Sequence, residues 1–189
     1  YQLQPNLAAA MPEVSDDGLK LTIRIKEGVF FIDDPAFEGG VGREVKAHDF
    51  VYSIKRHFDP DTRAQGTWLW QGRIEGLDQW KTEGSNYDDE IAGLQALDDY
   101  TIQITLTRPF PQFVHTLTQG YSAIVPWEAV DKYGQMLSSH AVGSGPFSLT
   151  SRDGVRASLA KNPGFRKEPF DLEAEGFDSN TEVDPRLRD

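Results

Sequence analysis

The stretch GREVKAHDFVYSIKRHF, residues 42–58, sets His48 beside Asp49 and comes close to ending on a second imidazole, His57. An imidazole next to a carboxylate could move protons or hold a metal. The spacing argues against both. Two ligands on one helix face stand three or four positions apart, as in H-E-x-x-H. His48 and Asp49 are adjacent, and His57 lies nine positions beyond His48, out of phase. His115 and His140 are isolated, and the chain has no cysteine, which excludes thiolate zinc sites, disulfides and cysteine nucleophiles. No metal, no cofactor and no catalytic residue is expected.

Other residue types give weaker leads. Ser144 in VGSGPF has glycine on both sides, which misses the G-x-S-x-G nucleophile elbow. A tight turn into a hairpin accounts for it. Gly39, Gly40 and Gly42 lack the Lys-Ser or Lys-Thr of a phosphate loop. The acidic pairs Asp16-Asp17, Asp33-Asp34, Asp88-Asp89 and Asp98-Asp99 sit beside turn signals or strand ends. Aspartate there bonds the local backbone. A hydrolase working through one such pair is the rival reading. The segment GTWLWQGRIEGLDQW, residues 66–80, carries three of the four tryptophans. If it is extended, Trp68 and Trp70 share one face. Flat aromatic faces suit sugars, peptide side chains or a protein partner. Thr67, Trp68 and Trp70 are therefore the candidate ligand-binding residues. The competing reading has the tryptophans plugging the core beneath a long loop.

These residues need elements to hold them. LKLTIRIK (19–26) and YTIQITLT (100–107) alternate strictly, the period of half-buried strands in an antiparallel sheet. Phe50, Val51, Ile54 and Phe58 fall at helical spacing, which predicts an amphipathic helix over 47–58. Asp49 suits its first turn, Lys55 and Arg56 its last, and Pro60 ends it. Lys46 at the N-cap has no oxygen to accept the first amides, so a weak cap is expected. A short helix carries Phe113, Val114 and Leu117. AIVP (123–126) reads as a short buried strand and WEAVDKYG (127–134) as a helix stopped by Gly134. Residues 145–163 read as a hairpin turning at Asp153-Gly154. Beyond Phe165 the pattern dissolves.

Composition narrows the classes. The chain has 189 residues, a net charge of −11 and 38% hydrophobic residues. No basic cluster suits a nucleic acid, and the charge disfavours anionic lipid. No apolar run approaches the roughly 20 residues that span a bilayer.

Taken in order, LKLTIRIKEGVFFIDDP, GREVKAHDFVYSIKRHFDPDT and VGSGPFSLTSRDGVRASLAKNPGF resemble the family-5 extracellular solute-binding proteins, the oligopeptide and dipeptide receptors of bacterial ABC importers. GLQALDDYTIQITLTRPFPQF and VPWEAVDKYG fit the segments between, so the likeness runs over about residues 13–167. Ser144 stands where the family usually has threonine, and Lys46 where it often has threonine. The resemblance implies an α+β fold with a mostly antiparallel sheet, of the periplasmic binding protein type 2-like kind. It implies a small accessory lobe over 1–126, part of a first lobe over 127–167, and an irregular tail over 168–189. It also implies a periplasmic or extracytoplasmic, non-enzymatic receptor, lipid-anchored or free, that hands peptides to a membrane permease. An oligosaccharide or other small solute is the alternative cargo. The second clasping lobe has no counterpart here, so weak ligand binding and some self-association are expected.

Overall fold

The computed structural model describes residues 2–83 and 86–166. The expected tail over 168–189 lies outside them. Four strands form an antiparallel sheet in the order β1–β2–β4–β3: β1 (Glu13–Val14), β2 (Lys20–Arg24), β3 (Leu94–Ala96) and β4 (Thr101–Thr105). The register explains the alternation. Leu21 and Leu94 flank Ile104, while Ile23 and Ala96 flank Ile102, so one face carries a continuous apolar surface. Thr22, Gln103 and Gln95 line up on the other face and are half-buried.

Helix α1 (Ala47–Arg56) covers the apolar face with Phe50 and Ile54, and Phe58 follows just beyond its end. All three are buried with Leu21, Ile23, Ile102 and Ile104 in one cluster. Burial of each such side chain stabilises by about 1.5–3 kcal/mol. The helix start is better secured than the cap residue suggests. Asp49 accepts the Lys46 N–H at 2.8 Å, and the Ala47 N–H donates to the Asp99 carbonyl at 2.7 Å, just ahead of β4. Two of the orphan groups at this end thus find partners from the third helical position and from the sheet.

Three more helices follow: α2 (Leu77–Glu83), α3 (Phe113–Thr116) and α4 (Trp127–Tyr133). Gly134 ends α4 with φ of 51°, as its position predicts. Residues 123–126 do not form the expected strand. They run extended with no sheet partner, and the Val125 N–H bonds the Ser53 hydroxyl of α1 at 2.9 Å. Pro126 has no amide for a ladder, and a helix side chain takes the place of a neighbouring strand. Ala129 of α4 and Val142 join the same buried cluster as the sheet. Gly42 lets the 38–42 turn close: a Cβ there would overlap the Phe31 carbonyl.

The last two strands, β5 (Phe147–Arg152) and β6 (Ala157–Lys161), form the expected hairpin. Asp153 accepts the amides of Val155 and Arg156 at 3.0 and 2.8 Å, which fixes the turn. Unlike the larger sheet, this ribbon leaves its apolar face largely bare: Phe147 is 59% exposed and Leu159, on the same face, 60%.

Candidate ligand-contact site

The tryptophan segment hangs from the end of α1. Gly66 starts a single 3-10 turn, Thr67–Leu69, closed by Leu69 N–H to Gly66 O at 3.0 Å and Trp70 N–H to Thr67 O at 3.1 Å. The Thr67 hydroxyl donates to the His57 carbonyl, tying the turn to the helix end. The coil overturns the expected shared face. At three residues per turn, side chains two apart diverge by roughly 240°. Trp68 is 61% exposed, whereas Trp70 is completely buried. Trp80 is buried too and donates its indole N–H to the Asn86 carbonyl at 2.8 Å. Plugging the core is thus the correct reading for two of the three tryptophans.

Beneath the turn, Trp70 packs on His57 with ring centroids 4.9 Å apart. His57 Nε2 lies 2.8 Å from the Tyr121 carbonyl. A carbonyl only accepts, so Nε2 donates and Nδ1 carries the lone pair. Nδ1 and the Trp70 indole N–H are both buried without a hydrogen-bond partner among the described residues. Burial, opposed by the Tyr121 carbonyl and assisted by Arg56, holds the His57 pKa below its usual value. Gly66 is required by this packing. A Cβ there would stand 2.7 Å from His57 Nδ1 and 2.8 Å from the Tyr121 ring. The result is one open indole, Trp68, on a stem whose hydrogen bonds and packing resist movement.

Several of the remaining candidates stand apart or bond the local backbone. Among the described residues no group of three or more His, Asp or Glu side chains could hold a metal. His48 and His115 are both exposed, on different helices. Asp17, Asp33, Asp34 and Asp98 accept nearby amides, from Leu19, Gly42, Ala36 and Tyr100.

Two polar clusters were not visible in the sequence. Arg43 grips Asp49 through both Nη atoms at 2.8 and 2.7 Å, and Glu128 through Nε and Nη2 at 2.5 and 2.9 Å. It bolts α1 to α4. Burial alone would favour loss of the Arg43 proton, but the two carboxylates outweigh it and raise the pKa. Asp34, 5% exposed, accepts from His140 Nε2, the Tyr133 hydroxyl and the Ala36 amide at 2.7, 2.7 and 2.8 Å. Burial opposes its ionisation, yet these bonds prevail and hold its pKa below the ordinary value. The partners lie 85 and 106 residues apart in sequence, so spacing carried no signal for either cluster.

Comparison with known proteins follows the same lines. Residues 2–178 match the family model described as bacterial extracellular solute-binding proteins, family 5 Middle. The glutathione-binding protein GsiB of Escherichia coli O1:K1 is 31% identical over 144 residues, covering 76% of this chain and 23% of GsiB. The chain thus spans about a quarter of the length of this relative. Listeria monocytogenes OppA bound to peptide superposes with a TM-score of 0.69 at 26% identity, over 85% of this chain and 30% of that one. Haemophilus influenzae OppA in complex with RPPGFSPFR gives a TM-score of 0.70 at 27% identity, over 87% of this chain and 31% of that one.

Proposed function

Because the chain belongs to the bacterial extracellular solute-binding proteins of family 5, we propose that it is one side of a receptor that binds oligopeptides for an ABC importer. The observation that carries this reading is the family match over most of the chain, with the fold of OppA proteins that hold peptides. Residues 1–126 would be the small accessory lobe, and 127–167 a part of the adjoining lobe. Arg43 would fix the angle between them. The partner would be a membrane permease, and the receptor would work in the periplasm or outside the cell. None of the described helices is long and apolar enough to cross a membrane. The protein would bind and release its solute without turnover, as the named relatives are binding proteins.

In this reading Trp68 touches the ligand. Thr67 holds the turn, and Trp70 supports it from below without meeting solvent. An exposed indole also stacks on sugar rings, so an oligosaccharide remains the second cargo to test. The bare apolar side chains of the hairpin would meet the remainder of a longer receptor; in isolation they would favour self-association.

The test uses a protein of the relatives' full length built around this segment. It is titrated calorimetrically with a pool of two- to five-residue peptides, and separately with oligosaccharides. Saturable peptide binding weakened about fivefold or more by Trp68→Ala is expected, a loss of roughly 1 kcal/mol or more. No heat with any peptide, and saturation with an oligosaccharide, would overturn the peptide assignment.

A further inference from the structure

A second surface, separate from the tryptophan turn, is built to receive something. Helix α1 buries Phe50 and Ile54 inward and turns His48, Val51 and Tyr52 away from the sheet. A groove of about 1070 Å³ runs over that outward face. One wall is β3 with Leu97, the other is Trp127 and Asp131 of α4, and the 87–91 loop lines it as well. Neither Thr67 nor Trp68 lines it.

The walls are apolar in part and unbalanced in charge. Trp127 is 49% exposed and Leu97 52%. Six carboxylates line the groove against three cations. All three cations are already engaged. Arg43 is held by Asp49 and Glu128, and Lys46 by Glu44 and Asp99. Lys55 is buried, and its ammonium donates to the carbonyls of Tyr87 and Asp89. No described cation is ion-paired with Asp88, Glu90 or Asp131. Asp88 and Glu90 feel the charge of Lys55, but its ammonium is bonded to the two carbonyls, so these carboxylates stay open to a cation from outside.

The strand in the wall is also the end of the sheet. Gly93 accepts the Thr105 N–H at 2.9 Å and the Leu97 N–H donates to Thr101 at 2.8 Å, so the odd-numbered residues here bond β4. The alternation of an antiparallel ladder turns the main chain of Ala96 the other way. An edge strand beside a helix is the geometry in which an extended segment adds a strand.

We propose that this groove docks an extended, cationic segment of a partner protein. Its main chain would pair with β3 at Ala96, because the Leu94 N–H already donates to the Ile91 carbonyl at 3.0 Å. Its Arg or Lys side chains would meet Asp88, Glu90 and Asp131, and one would lie on the Trp127 ring. A second copy of this chain is a poor occupant, because each copy carries a net charge of −11. The inference does not depend on the ligand assigned to the receptor.

The test is fluorescence anisotropy on the 189-residue chain. The probe is a capped, dye-labelled peptide of three Arg-Val repeats, compared with its Glu-Val counterpart and with an Arg-Val peptide N-methylated at alternate amides. The Arg-Val probe should saturate and weaken in high salt. Asp88→Asn, Glu90→Gln and Asp131→Asn together should weaken it about tenfold or more. Trp127→Ala should weaken it about threefold. N-methylation should also weaken it, and Trp68→Ala should change nothing. Circular dichroism melts of each variant confirm that it is folded. No saturation, equal binding by the triple variant or the N-methylated peptide, or loss with Trp68→Ala would overturn the proposal. So would a dimer of the unliganded chain seated on this groove.

Discussion

The β2–β4 pair and the β5–β6 hairpin carry the same alternating pattern of apolar and polar residues, yet only the first is buried. Leu21, Ile23, Ile102 and Ile104 are at most 6% exposed, while Phe147 and Leu159 are about 60% exposed. The difference does not lie in the strands. Alternation gives a strand two unlike faces; it does not supply the layer that covers the apolar one. For the sheet, α1 supplies that layer. No described element covers the hairpin, and a two-stranded ribbon alone is marginally stable. One region is therefore a closed core, and the other leaves apolar side chains bare among the described residues.

Mutations should separate the two regions sharply. Ile54→Ala removes a fully buried side chain from the α1–sheet contact and should cost about 2–5 kcal/mol in urea unfolding. A loss below about 0.5 kcal/mol would mean that α1 does not cover the sheet. Arg43→Ala should cost about 1.5–3 kcal/mol, because Asp49 stays buried without its guanidinium. Lysine at 43 should recover little of it, since a single ammonium cannot hold two carboxylates bidentately. Acidification tests the His57 corner. Its pKa is lowered in the folded state, so the unfolded chain binds the proton more readily. Stability should fall as the pH drops below the unfolded value of about 6.5, until the folded pKa is passed. His57→Gln should remove that step from the stability–pH profile; an unchanged slope would show that the imidazole is not held neutral. At the small end, Leu159→Ala should change stability by less than about 0.5 kcal/mol. A core-sized cost there would show that the hairpin is covered after all.

What could be read from the sequence was what short-range chemistry decides. Strand period, the α1 stripe, the stop at Pro60, the Asp153 turn and Gly134 all depend on neighbours a few residues away. The antiparallel sheet followed from them, while the α+β class came with the family resemblance. The Trp68–Trp70 pair failed because its geometry depends on whether the segment coils. That was settled by Gly66 fitting against His57 and Tyr121, which sequence spacing does not report. The weak cap at Lys46 was half right: the residue caps nothing, but Asp99 and Asp49 compensate from the sheet and from within the helix. The Arg43 and Asp34 clusters were invisible because their partners are brought together only by the finished fold.

The most direct test of the account is whether this chain alone can hold a peptide. Stacking on one exposed indole contributes on the order of 1–3 kcal/mol. Association costs several kcal/mol in lost translation and rotation, about 4 or more. A receptor overcomes that by closing two lobes over its solute, and this chain would supply only one side. Calorimetric titration of the 189-residue chain with two- to five-residue peptides should therefore show no binding tighter than about millimolar. Saturable micromolar binding would contradict the account and place the whole site within these residues.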